Sequence, residues 1–122
     1  MPFAMKRLDR LWDRIEGRGT ELAHLPVEER HHLRIDAKKI RYALEFLSEP
    51  LKNEGKSPEK FVKAAEDVQD SLGCLNDLAN RREILGVLPK SPERLAARHL
   101  RDARKAFREM EKVGPYWRDA GA

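Results

Sequence analysis

Apolar residues recur at intervals of three and four along most of the chain, and no segment keeps a strict apolar/polar alternation. A first helix is expected from about Phe3 to Ala23. Met5, Leu8, Leu11, Trp12, Ile15 and Leu22 share one of its faces, and Lys6, Arg10, Arg14 and Arg18 share another. Gly17 and Gly19 weaken its end, so a kink or early stop is expected there. A second helix runs from about Pro26, suited to a first helical position, to Glu49, with Pro50 just beyond. Its core stripe is Leu33, Ala37, Ile40, Leu44 and Leu47. The turn-rich stretch PLKNEGKS follows. A third helix starts at Ser57 as N-cap with Pro58 behind it and reaches about Leu85, before Gly86. Its core stripe is Phe61, Ala65, Val68, Leu72, Leu75 and Ala79. The Ser-Pro signal recurs at Ser91-Pro92 and opens a fourth helix that ends near Val113, before Gly114-Pro115. Leu95, His99, Ala103, Ala106, Phe107 and Met110 form its inner face. Trp117 is expected to fold back as a final plug. Four helices with short connections predict an all-α, antiparallel four-helix bundle spanning 1–122 as one domain, with helices at about 3–23, 26–49, 57–85 and 92–113.

Charge matters through its placement. The 122 residues carry 25 Lys and Arg against 21 Asp and Glu, a net charge of +4, too small an excess to specify a polyanion partner by itself. On the second helix, however, His31, Arg34, Lys38 and Arg41 fall within one sector of about 80°. Beside them Ile35, Tyr42 and Phe46 form a second, smaller apolar stripe, which suggests contact with another chain or with a further part of the domain. On the fourth helix Arg94, Arg98, Arg101, Lys105, Arg108 and Lys112 line one stripe. Like charges at i,i+4 repel by about 0.2–0.5 kcal/mol a pair. Such a row is tolerable when solvated, and is useful when an extended anion lies along it. The third helix differs: Glu66, Asp70 and Asp77 occupy its outer face with Lys63 and Arg81. A plain solvated surface accounts for any one of these rows. The recurrence of ordered rows makes an anion-binding reading equally admissible.

Other chemistries find little support. The single cysteine, Cys74, cannot form an internal disulfide, which fits a reducing compartment. No stretch approaches the roughly 20 apolar residues of a membrane span, and the N-terminus is charged by Lys6, unlike a secretion signal. A cytoplasmic protein without membrane contact is expected. Glu28-x-x-His31 and Glu29-x-x-His32 match the spacing used by di-iron bundles. That chemistry needs the motif on two helices, and Ala96 stands three residues before His99. No metal or cofactor is expected. Ser48, Ser57, Ser71 and Ser91 sit at helix ends or lack a paired histidine, and there is no Gly-rich phosphate loop, so nothing indicates an enzyme. Only eight residues are aromatic and several belong to the core, so neither a base-stacking platform nor a nucleic-acid partner is expected.

The run His31-x-x-Arg34-x-x-x-Lys38-x-x-Arg41-Tyr42-Ala43-Leu44-Glu45 resembles the signature helix of the CHAD domain family. The run Val68-Gln69-Asp70-Ser71-Leu72-Gly73-Cys74-Leu75-Asn76-Asp77 resembles that family's second signature, LQ-x-x-LG-x-x-ND, with valine in place of the first leucine. The resemblance implies a helical domain that binds inorganic polyphosphate through basic helix faces. By this likeness His31, Arg34, Lys38 and Arg41 contact phosphates, Arg94, Arg98, Arg101 and Lys105 form a second wall, and Lys63 is a weaker candidate. Gln69, Gly73, Asn76 and Asn80 share one flank of the third helix. There the glycine would permit close helix approach and the amides would hydrogen-bond neighbouring groups. Full CHAD domains hold two related four-helix halves. This sequence resembles the second half alone, which implies either self-pairing as a homodimer or a missing N-terminal half.

Overall fold

The computed structural model describes residues 2–47, 58–84, 86 and 92–120. Four long helices account for most of them: α1 (Pro2–Gly19), α2 (Val27–Phe46), α3 (Pro58–Ile84) and α4 (Pro92–Val113). A 3₁₀ turn at Leu22–His24 joins α1 to α2, and a short α5 (Trp117–Ala120) closes the described chain. There is no strand among the described residues. The caps expected at Ser57 and Ser91, the PLKNEGKS connection, the end of the second helix at 48–49 and Leu85 lie outside the described residues.

Each helix is held by the apolar face its sequence period dictates. Leu8, Trp12 and Ile15 of α1, Leu33, Ala37, Ile40 and Leu44 of α2, Phe61, Ala65, Val68, Leu72 and Leu75 of α3, and Ala103, Ala106, Phe107 and Met110 of α4 are buried in one core. Leu47 is only partly buried, Leu95 and His99 likewise. α1 stops at Gly19, earlier than its apolar period suggests. The two glycines weaken the helix there, and the Phe107 ring of α4 occupies the space a Cβ at Gly19 would need. Leu22, expected on α1, is instead buried from the 3₁₀ turn.

Helices adjacent in the chain pack antiparallel. Arg14 and Arg18 of α1 reach Asp36 of α2 at 3.3 and 3.1 Å, and Arg18 also reaches Glu29 at 2.8 Å. Asp36 is 6% exposed and is the one buried charged side chain among the described residues. Two guanidiniums supply the compensation such burial requires. α3 is the central rod: α2 packs on one of its flanks and α4 on the other, while α1 touches α4 little.

The open side is closed by the C-terminal segment. Gly114 adopts φ 75°, the left-handed conformation that ends a helix, and its N–H donates to Met110 O at 2.8 Å. Pro115 follows, and the chain turns back so that Tyr116 and Trp117 enter the core. Trp117 packs edge-on to Trp12, Phe61 and Tyr116, with centroids 5.5–6.5 Å apart. Its indole Nε1–H donates to Asp9 Oδ1 at 2.8 Å, and Arg118 Nε donates to the same oxygen at 2.8 Å. The plug expected of Trp117 is thus formed and is latched to α1.

Candidate anion site on the α2 shoulder

Of the four α2 positions singled out by spacing, His31 and Arg34 lie against α3, and Lys38 and Arg41 gather around the Tyr42 ring. His31 and Arg34 line a narrow cleft with Arg30 of the same helix and Leu72, Leu75 and Asn76 of α3. Arg34 lies across Gly73: a Cβ added there would stand 3.3 Å from Arg34 Nε and 3.8 Å from Nη2. The glycine therefore makes room for a guanidinium, where close approach of helix backbones was expected. Two turns on, Arg41 stacks on the exposed Tyr42 ring at 4.6 Å from its centroid, and the Lys38 ammonium stands 5.8 Å from the same ring.

Two of these cations carry donors without partners. Among the described residues, the buried Arg34 Nε and Arg41 Nε have no hydrogen-bond partner, and the buried Gln69 Oε1 of α3 has none either. The nearest carboxylate oxygen to Arg41 Nε is that of Glu45 at 4.0 Å, beyond hydrogen-bonding range. The Gln69 amide was expected to hydrogen-bond neighbouring groups, and among the described residues its Oε1 accepts no such bond. Leaving a buried donor unpaired costs about 1–3 kcal/mol.

The other predicted cations are elsewhere. Arg94, Arg98 and Arg101 are exposed on the outside of α4. Lys105 lies in a shallow concavity with Asp67 and Asp70 of α3 and Asp102 and Glu109 of its own helix. Lys63 pairs with Asp67 at 3.1 Å, and that bond, with further attraction from Asp67, Glu66 and Asp70, raises its pKa above the ordinary lysine value. The rows on α2 and α4 were expected to be two walls of one groove, and the structure does not bring them together. In an antiparallel bundle wound in chain order the second and fourth rods are diagonal, and here α3, with Glu66, Asp70 and Asp77 on its outer side, stands between them. Opposite His31 and Arg34 stands the flank of α3 that carries Gly73 and Asn76.

Of the two Glu-x-x-His pairs, Glu29 is taken by Arg18, whose hydrogen bond holds the carboxyl below its ordinary pKa. Among the described residues no three His, Cys, Asp or Glu side chains converge as metal ligands do. No described helix is long and apolar enough to cross a membrane.

Sequence reasoning missed Arg30, although its i,i+4 spacing to Arg34 placed it on the same shoulder. Arg14 and Arg18, expected on one face of the first helix with Lys6 and Arg10, are both anchored on Asp36 of α2.

The CHAD domain family model matches residues 1–86, which covers α1, α2 and α3 and so the whole cleft just described. The chain belongs to the CHAD domain family. No curated protein and no solved structure matched it in the corresponding searches. The matched part of this CHAD domain stops short of α4, the helix whose basic row stands apart from the cleft.

Proposed function

We propose that the protein is a binding module for inorganic polyphosphate, and that the anion lies along the α2 shoulder against α3, contacted by His31, Arg34, Lys38 and Arg41. Membership of the CHAD family, known in general for polyphosphate binding, supports the ligand class. The observation that carries the position is the pair of buried, unpartnered Nε donors on Arg34 and Arg41. Phosphate oxygens are strong acceptors, and charge-assisted bonds from guanidinium are about twice as strong as neutral ones. Polyphosphate is thin and carries no bases, so it needs no stacking platform. Arg30 and Asn76 extend the same cleft and would meet the chain beside His31.

On this proposal the exposed α4 row attracts the polyanion only over distance, which salt screens within about 8–10 Å. Binding releases condensed counterions, so affinity falls steeply as salt rises. The test is competition at one ionic strength between long-chain polyphosphate and single-stranded DNA of equal charge. Polyphosphate is expected to win. Arg34→Ala with Lys38→Ala is expected to weaken binding while leaving helicity and melting largely intact. Equal affinity for the two polymers would reduce the site to generic electrostatics, and undiminished binding by the double variant would place it elsewhere.

A further inference from the structure

We infer that the furrow between α1 and α2 is a docking site for an acidic amphipathic helix of a partner protein. The furrow has a volume of about 700 Å³ and runs along α1 from Phe3 to Arg14 and along α2 from Lys39 to Leu47. At 1.5 Å per residue the α1 side is about 17 Å long, roughly three turns of a helix laid alongside it.

Its charged lining has one sign. Arg7, Arg10, Arg14 and Lys39 face the furrow, and among the described residues no carboxylate lines it. Arg14 is held by Asp36 at 3.3 Å, whereas Arg7, Arg10 and Lys39 enter none of the ion pairs formed among the described residues. Between these cations lies apolar surface. Leu11, Ala43 and Leu47 are partly buried, and Phe3 and Tyr42 on the rim are 74% and 50% exposed. An inorganic polyanion would leave this apolar surface uncovered. An amphipathic helix with carboxylates beside an apolar stripe satisfies both parts of the lining, in the manner of helix-in-groove recognition.

The other occupants fit less well. Symmetric pairing of two copies through this face would set Arg7, Arg10 and Lys39 against their own counterparts. The acidic outer ridge of α3, with Glu66, Asp70 and Asp77, has no large apolar stripe to enter a neighbour's furrow. A flat membrane would touch the rim and leave the concavity unfilled.

The probe is a fluorescein-labelled peptide of about 18 residues, five helical turns, with leucines at i, i+3, i+4 and i+7 spacing and glutamate and alanine elsewhere. Fluorescence anisotropy compares it with a permuted peptide of the same composition. The patterned peptide is expected to bind at least about tenfold more tightly, because only it presents a continuous apolar stripe. Arg7→Ala with Lys39→Ala is expected to weaken it about tenfold. His31→Ala with Arg34→Ala, both in the α2–α3 cleft and neither lining the furrow, should weaken polyphosphate and leave peptide affinity within about twofold, so loss of polyphosphate binding and loss of peptide binding are separately visible. Equal binding of the permuted peptide overturns the inference, as does unchanged affinity in the furrow variant. So does binding to phosphatidylserine vesicles through these residues without peptide binding. A dimer in sedimentation that the furrow variant dissociates also overturns it.

Discussion

Replacing Arg34 by methionine should move stability and binding in opposite directions. The substitution keeps an unbranched apolar stem over Gly73 and removes the guanidinium, including the buried Nε that has no partner. A buried unsatisfied donor costs about 1–3 kcal/mol, and part of that gain is offset by lost packing of the guanidinium plane. A net stabilisation of about 1 kcal/mol is expected. For a chain of this length that raises the melting temperature by about 4 °C. The same change deletes a charge-assisted hydrogen bond to the anion, worth about 1.5–3 kcal/mol, so polyphosphate affinity should fall about ten- to a hundredfold. Two assays suffice: thermal denaturation followed by circular dichroism without ligand, and calorimetric titration with polyphosphate at fixed salt. A methionine variant that melts several degrees lower than the parent and still binds normally would make Arg34 a structural residue and not a phosphate contact.

The remaining predictions concern the scaffold. Trp117→Ala removes a fully buried ring and leaves Asp9 with Arg118 alone; a loss of about 3–5 kcal/mol is expected, read as a melting point about 12–20 °C lower, and a drop under about 3 °C would show that the C-terminal plug contributes little. Burial tends to raise the Asp9 pKa, but the hydrogen bonds from Arg118 and Trp117 outweigh it and hold the carboxyl below its ordinary value. Its stabilisation is therefore complete above the ordinary carboxylate range and is lost as pH falls through the lowered folded value; Asp9→Asn should flatten that part of the stability profile, and an unchanged acid limb would contradict the latch. Gly73→Ala places a Cβ 3.3 Å from Arg34 Nε, so it should weaken polyphosphate about two- to fivefold with little change in melting, whereas unchanged affinity would show that Arg34 need not rest on α3.

The helices were legible because a 3.6-residue apolar period requires nothing beyond the chain itself. The cores of α2 and α3 lie where their stripes placed them, apart from the partly buried Leu47 and the side chain of Ala79, which lies outside the described residues. The plug was legible for a similar reason: Gly114-Pro115 ends a helix and leaves two large aromatics with nowhere to go but inward. What could not be read was which rods adjoin. A helical wheel assigns each cation to a face of its own helix, and Arg98 looks as promising as Arg34 on that basis. Only the diagonal placement of α2 and α4 separates them. Side-chain reach was equally hidden. The sequence held no sign that Arg14 and Arg18 converge on Asp36, or that Gly73 is small on behalf of an arginine from another helix. The furrow of Arg7, Arg10 and Lys39 needed two helices in register before it existed at all.

The central claim is that the anion track belongs to α2 and α3. The most direct measurement is calorimetric titration of polyphosphate into two variants at one salt concentration, Arg34→Ala with Arg41→Ala on the shoulder, and Arg94→Ala with Arg98→Ala and Arg101→Ala on α4. The shoulder variant is expected to lose at least about a hundredfold in affinity, two charge-assisted bonds' worth, while the α4 variant loses no more than about threefold, the share of screened long-range attraction. The reverse order, with the α4 variant losing most of its affinity and the shoulder variant retaining it, would contradict the claim.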